Sequence, residues 1–408
     1  MVWLLFLPLV PYLAWLIWAA LRHPIPLSYN WRSLWQRKIS TLSTAGAIGV
    51  VVAIFVVVLS LSKGISKAFV SSGRPDQVIV LRPNARVELN SSVERERSRI
   101  IKVHPLLAGD SEGPLVSSEC MVVKLLELAD GSGSTNVAFR GLEAAGVRMR
   151  TQVQLVRGRW FRPGLPELVV PRRMEGRFAN LGIGKSIQFS GQPWTIVGVF
   201  DGGGSAFDSE VWTDVDVLMQ AHRRTSYSSM LVRLQSPEAI PNFVKELDAD
   251  KRLKLEGKSE GEYYAQQTEA GKPIQILGNL ITVILTIGAI FAAMNTMFAA
   301  VSSRTSEIGT LRALGYRRME ILASFQWEAL MLCTLGGLLG SSLALTFNGI
   351  QTGTTNFETF SDISFAFTIT PDLMAQGVAF SVLMGILGGF FPAWRASRIP
   401  VTEAMKGG

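Results

Sequence analysis

Long uncharged runs constrain this chain more than any other feature of its sequence. Residues 1–21, 40–62 and 273–303 contain no Asp, Glu, Lys or Arg, and residues 321–350 and 373–394 contain only Glu328 between them. A bilayer core takes roughly 20 apolar residues of helix. In lipid the backbone must satisfy its own hydrogen bonds, so runs of this kind become helices. Charged residues make up 18% of the 408 residues, against about 25% in a soluble domain, and the deficit is concentrated in these runs. The chain therefore reads as an integral membrane protein.

The net charge of +8 does not point to nucleic acid, because the basic residues are placed by topology. Arg32, Arg37 and Lys38 precede the second run. Arg304, Arg312, Arg317 and Arg318 separate the third from the fourth, and Arg395, Arg398 and Lys406 follow the fifth. Residues 351–372 contain no Lys or Arg. The positive-inside rule puts the basic stretches in the cytoplasm, facing anionic lipid headgroups, and residues 351–372 outside.

Residues 1–22 read as an extra N-terminal span. The segment has no basic n-region and no A-x-A-like site, so a signal peptide fits poorly. Pro8 and Pro11 keep an interfacial or re-entrant segment open as the alternative. In residues 29–41, Trp31, Leu34 and Trp35 alternate with Arg32, Arg37 and Lys38, which suits an amphipathic helix on the inner membrane face or an ordinary juxtamembrane cap. Core span 1 is assigned to 43–62, core span 2 to 274–301, core span 3 to 321–347 and core span 4 to 373–392. A loop at 348–372 lies outside, and the tail 393–408 lies inside.

Between core spans 1 and 2, residues 64–272 form a large extracytoplasmic α+β domain. Short β-branched or alternating runs at 77–81, 121–126, 167–170, 185–189, 195–200 and 229–234 predict strands. Helical spacing predicts helices over 92–101, 172–181, 215–223 and 237–247.

Catalytic chemistry finds little support. Gly182, Gly184, Lys185 and Ser186 imitate a phosphate-binding loop, but Ala179 stands where its first glycine belongs, and a strand follows instead of a helix. The three histidines, His23, His104 and His222, lack metal-ligand spacing. No Gly-x-Ser-x-Gly elbow occurs. Asp201, Asp208 and Glu210 surround three glycines, which reads as an exposed hairpin loop, with a calcium site as the lesser alternative. Cys120 and Cys333 fall in different parts of the chain, so no disulfide framework is expected.

The segment 304–318 is the informative one. Ile308, Leu311 and Leu314 are spaced to share one face of a short helix, with Glu307 and Arg312 flanking it and Gly315 able to stop it in a left-handed cap. Such an exposed helix suits docking of a cytoplasmic partner; a routine basic loop is the alternative. Glu328 lies early in the next span, where it either bonds to a neighbouring helix or subunit or reaches the interface. Gly336 and Gly340, like Gly385 and Gly389, are four apart within spans, which permits close helix contact or is incidental.

The pattern of Arg304, Glu307, Ile308, Gly309, Leu311, Arg312, Ala313, Leu314 and Gly315 resembles the cytoplasmic coupling segment of the FtsX/MacB-like ABC permease family. Glu328, followed by Ala329 and Leu330, resembles that family's acidic residue early in the next helix. The chain's end, with Pro392, Ala393, Arg395, Ala396, Arg398, Pro400, Glu403 and Ala404, resembles the family's terminal motif. The resemblance implies a four-span bundle of that family, to which residues 1–22 are an addition, in a bacterial cytoplasmic (inner) membrane. It implies a permease without an ATPase site or cofactor of its own, paired with a second permease copy or homologue. ATP and magnesium would bind a separate ABC ATPase, whose closure moves the coupling segment and rearranges the outer domain. Efflux or envelope export, with a periplasmic adaptor and an outer-membrane channel as further partners, is the expected use. A force-transmitting signalling or scaffold complex that regulates an outer partner without transport stays open.

Overall fold

The structure is a computed structural model that describes residues 10–22, 27–269, 272–355 and 361–401. It divides into two compact units: residues 1–61, 274–349 and 367–408 form one, and residues 62–273 and 350–366 the other.

The first unit is helical. Its helices are α1 (Val10–Arg22), α2 (Leu27–Gln36), α3 (Lys38–Val70), α4 (Lys272–Ser303), α5 (Thr305–Ala313), α6 (Arg318–Ala344) and α7 (Pro371–Arg398). Among the described residues four helical segments are long and apolar enough to cross a membrane: Lys38–Leu61, Ile276–Ser303, Arg318–Phe347 and Pro371–Arg398. Their starts follow capping chemistry. The Glu320 carboxylate accepts the Arg317 N–H at 2.8 Å to open α6. Thr370 caps α7, accepting the Leu373 N–H at 3.4 Å, with Pro371 in the first turn. Helix α7 passes through Pro392 and continues to Arg398, beyond the end expected for core span 4.

Helix α1 has 13 residues, about 20 Å at 1.5 Å per residue, which is shorter than a bilayer core. The rest of the expected N-terminal span lies outside the described residues. Leu16 of α1 is fully buried against Ala323, Leu330 and Ile386, so α1 packs on the bundle.

Small residues set how closely the spans approach. A Cβ at Gly340 would collide with the Gly49 carbonyl and Val52 on α3, so only glycine permits that crossing. Gly336 faces Ala45 and Ile48 on α3, while Gly385 and Gly389 of α7 face Cys333 and Ala329 of α6. Both glycine pairs thus lie at helix contacts.

The second unit is built on a ten-stranded sheet. Its strands are β1 (Gln77–Leu81), β2 (Val116–Glu127), β3 (Ser134–Leu142), β4 (Gln154–Gly158), β5 (Glu167–Pro171), β6 (Ser186–Phe189), β7 (Gln192–Asp201), β8 (Glu210–Asp214), β9 (Ser229–Arg233) and β10 (Glu256–Ser259). The order is β10-β1-β9-β2-β3-β8-β5-β7-β4, with β6 paired to β7 off this path. Pairs β3–β8 and β5–β7 are parallel and the other pairs antiparallel, which makes the sheet mixed. Phe139, Phe200, Phe207, Trp194 and Trp212 are fully buried and anchor its core. A hairpin of β11 (Gln351–Thr355) and β12 (Asp362–Ala366) belongs to this unit, so part of the stretch expected as a loop is paired strand. Both oxygens of Asp362 accept from Arg177, at 2.5 and 2.9 Å.

Two local expectations fail here. Residues 172–181 form turns and bridges rather than a helix, because Gly176 (φ +84°) and Asn180 (φ +61°) bend the chain into the left-handed region. The loop after β7 is mostly buried rather than exposed: Gly203 faces solvent, but Ala206, Phe207, Asp208 and Ser209 are buried. The Asp208 carboxylate accepts the N–H groups of Gly202 (2.7 Å) and Gly204 (2.9 Å) and pairs with Arg173 at 3.3 Å. Its oxygens hold the turn, and among the described residues no group of three or more His, Cys, Asp or Glu is arranged for a metal ion.

Candidate functional site

The short helix α5 is clamped at its root. Arg304, the residue before it, is 5% exposed and reaches into the bundle. Its Nη1 donates to Glu328 Oε2 at 2.7 Å and to Ser33 Oγ at 2.9 Å, and its Nε donates to Glu307 Oε2 at 3.0 Å. Ser33 Oγ donates to the other Glu328 oxygen at 3.2 Å, and the Tyr29 hydroxyl donates to Glu307 at 2.6 Å. The guanidinium also lies over the rings of Tyr29 (4.8 Å) and Phe325 (5.2 Å). One arginine therefore ties together α2, α5 and α6.

The electrostatics agree with this geometry. Burial alone would lower the Arg304 pKa, yet Glu328 and the bonds to Tyr29 and Glu307 raise it above its usual value. Burial would raise Glu307, but the hydrogen bonds from Tyr29 and Arg304 hold it below the usual carboxylate range. Beside this cluster, Asn30 Nδ2 donates to the Ser324 carbonyl at 3.1 Å and Ser324 Oγ returns a bond to Asn30 Oδ1 at 2.9 Å, which locks α2 onto α6 a second time.

The expected single face of Ile308, Leu311 and Leu314 is divided. Ile308 is 1% exposed and packs with Met297, Val301, Ile321, Phe325 and Ala393, and Leu311 is partly buried on the same cluster. Leu314 is 72% exposed. The reason is geometric: Leu314 is still helical, with its N–H bonded to the Thr310 carbonyl at 2.9 Å, and six residues at about 100° each put it about 120° round the helix from Ile308. Gly309 is buried, Arg312 is half-buried, and Glu307 and Gly315 are exposed. Gly315 takes φ +100°, and the Tyr316 N–H bonds back to the Leu311 carbonyl at 3.2 Å. A glycine-terminated helix cap has this form, and it turns the chain sharply into α6. Arg312 Nη1 donates to the Tyr316 carbonyl at 3.3 Å and braces the turn. The surface left open carries Leu314 and Met319 (54% exposed) beside Arg317 and Arg318.

The profile of the MacB-like periplasmic core domain matches residues 39–250, over half of the chain, and that of the FtsX-like permease C-terminal region matches residues 279–401. The chain belongs to the FtsX/MacB-like ABC permease family. It is 28% identical over 239 residues to the macrolide export ATP-binding/permease protein MacB of Hahella chejuensis, covering 55% of this chain and 35% of that one. Against MacB 1 of Aeromonas hydrophila it is 31% identical over 263 residues, 59% of this chain and 38% of that one. Against the ABC transporter permease YknZ of Bacillus subtilis it is 26% identical over 236 residues, 55% and 57% of the two chains. The match covers between 34% and 57% of the length of the first three curated relatives.

This FtsX/MacB-like permease also carries a buried charge cluster in its sheet domain. Arg140 is 2% exposed and donates to Glu88 (2.7 Å), Glu119 (2.6 Å) and Glu210 (2.6 Å), and Arg150 donates to Glu119 at 2.7 Å. Burial would push the Glu88 carboxyl up, but Arg140 holds it below the usual range. Burial drives Glu260 the other way, up to about 7. A cavity of about 50 Å³ lies beside the cluster, lined by Glu88, Arg140, Glu210, Tyr263 and Tyr264. Sequence reasoning missed this network, since lone charges in strands normally face water.

Proposed function

We propose that this chain is the membrane subunit of an ABC export complex, driven by a separate ATPase that docks on the turn closed by Gly315. Charge distribution assigns the turn to the cytoplasm, where an ATPase would be. The observation that carries the reading is the division of α5 into a clamped root and an open tip. Ile308 and Arg304 bind it to its own bundle, while Leu314 and Met319 stand exposed among arginines. An apolar anchor ringed by charge is the usual composition of an interface hot spot.

ATP and magnesium belong to the partner in this scheme. When two ATPases close on ATP, they displace the turn. Helix α5 is tied through Arg304 to Glu328 on α6 and to Ser33 on α2, so the push passes into the bundle as a unit. Helices α3 and α4 flank the sheet domain in the chain, and the hairpin β11–β12 joins α6 to α7. Movement of these spans is thereby passed to the outer domain. A second permease copy or homologue completes the pair, and a periplasmic adaptor and outer-membrane channel extend the route, in keeping with the export function in the MacB relatives' names. Substrate is handled outside the membrane or laterally from it.

The test is co-purification with the ATPase encoded beside this chain, followed by ATP turnover in nanodiscs. Leu314→Asp and Met319→Asp should each weaken ATPase binding on the order of tenfold or more, with membrane insertion and thermal stability unchanged. If both variants bind the ATPase normally and keep full coupled turnover, the docking assignment fails. Leu311→Asp would not be diagnostic, because Leu311 packs on the bundle core.

A further inference from the structure

The membrane-spanning unit holds a second basic site, at the foot of α7 and bordered by Thr305 at the start of α5. Arg395 and Arg398 lie in the last turn of α7, and neither has an ion pair with an acidic side chain among the described residues. Both are instead held over aromatic rings. The Arg395 guanidinium is 5.8 Å from the Phe298 ring centre, and that of Arg398 is 4.1 Å from Trp394. They stand at a cleft of about 590 Å³ whose walls include Phe298 and Val301 of α4 and Phe391 and Trp394 of α7.

Position gives this cleft its meaning. Helices α4 and α7 end at Ser303 and Arg398, so the cleft lies at the ends that the positive-inside rule assigns to the cytoplasm. Above it, Leu387 and Phe391 on α7 and Ile287 and Phe291 on α4 are exposed, which continues the apolar surface along the spans. Arginines in a last helical turn complement the helix dipole, and that alone would account for their charge. It would not account for a cleft between two spans, walled by Phe298, Val301, Phe391 and Trp394 alongside Ser302 and Thr305, with both cations poised at its mouth.

We propose that this cleft is a binding site for an anionic phospholipid. The phosphate sits between Arg395 and Arg398, and an acyl chain runs along Phe391 towards Phe291. Arginine suits the role because its planar fork donates twice to phosphate while its face stacks on aromatic rings. The apolar track favours lipid over a water-soluble acidic partner, which would leave Leu387 and Phe391 unused. Bound lipid at the foot of α7 would couple this permease to membrane composition.

Native mass spectrometry of the full-length protein, titrated with phosphatidylglycerol or phosphatidylcholine, tests the site. Wild type should retain phosphatidylglycerol in preference to phosphatidylcholine. Arg395→Gln with Arg398→Gln should lower that preference on the order of tenfold, the effect of losing two cations at a charged membrane surface. The control, Arg32→Gln with Lys38→Gln, removes exposed inner-face charge elsewhere and should leave the preference in place. An equal loss in both pairs would reduce the effect to general surface charge and overturn the site. Soluble glycerophosphoglycerol competing as well as the whole lipid would overturn the acyl-chain contact. So would an acidic peptide that binds through Arg395 and Arg398 while phosphatidylglycerol does not.

Discussion

Breaking the Arg304–Glu328 pair should show whether the clamp is one coupled unit. The two side chains are 5% and 3% exposed and meet at 2.7 Å, so either one left alone becomes a buried charge without its counterion. Removing one partner of such a pair costs about 3–5 kcal/mol. Glu328→Leu should fall in that range. Glu328→Gln keeps an acceptor for Arg304 and Ser33, and Arg304 still donates to Glu307 at 3.0 Å. Its loss should therefore be nearer the value of a single charged hydrogen bond, about 1.5–3 kcal/mol. Arg304→Met should resemble Glu328→Leu, because it strands the carboxylate. The double variant Arg304→Met/Glu328→Leu removes both buried charges together, and it should be more stable than the sum of the single losses by about 2 kcal/mol or more. SDS-titrated unfolding in mixed micelles reads these differences. A double variant whose loss equals the sum of the two singles would refute the coupling. If the double variant is stable and binds the ATPase, its ATP turnover should no longer respond to outer-domain ligands, since the link from α5 to α6 is gone.

Two further perturbations test packing and protonation. Gly340→Leu should destabilise the bundle by about 1–3 kcal/mol through the clash with Gly49 and Val52, whereas Gly46→Leu, with nothing within 4 Å of its Cβ position, should be tolerated; the same SDS titration compares them. Glu260 has its folded pKa raised from 4.5 to about 7, so its contribution is fully present below about pH 4.5 and is lost as pH rises to about 7. The span of about 2.5 pH units at 1.36 kcal/mol each gives about 3 kcal/mol, and Glu260→Gln should flatten that slope, measured by hydrogen exchange of the sheet domain in the intact protein.

The spans were legible because lipid imposes its requirement on composition directly. A run such as 273–303 has no charge, and no tertiary contact is needed to read it. Strands with unbroken β-branched character, such as Gln77–Leu81 and Glu167–Pro171, were legible for a related reason: a strand buried on both faces is apolar throughout. Strands β3 and β8 were not, because each carries a charged residue of the buried cluster, Arg140 and Glu210. Their burial depends on partners 70 residues apart, which no local pattern announces.

The same distinction governs the site. Three-residue spacing put Ile308, Leu311 and Leu314 on one face, but each step of three falls about 60° short of a full turn, so over six residues the stripe drifts about 120° round the helix before Gly315, at φ +100°, ends it. One residue before that glycine the backbone is still helical, and Leu314 lies past the edge of the buried face, on the open side. Arg304 misled in the opposite sense. An arginine beside a span end ordinarily faces water or headgroups, and its burial here rests chiefly on the buried Glu328, 24 positions on, with Glu307 beside it. Exposed residues and clamped residues are thus interleaved along one short stretch, and their division is set by the drift of the helical stripe and a tertiary ion pair. A substitution scan of 304–319 should separate into two classes on that basis. Changes at Arg304, Ile308 and Gly309 should lower stability together with coupling, while changes at Leu314 and Met319 should lower coupling alone. A scan in which stability and coupling fall in parallel at every position would mean that the turn acts only as structure and that the partner docks elsewhere.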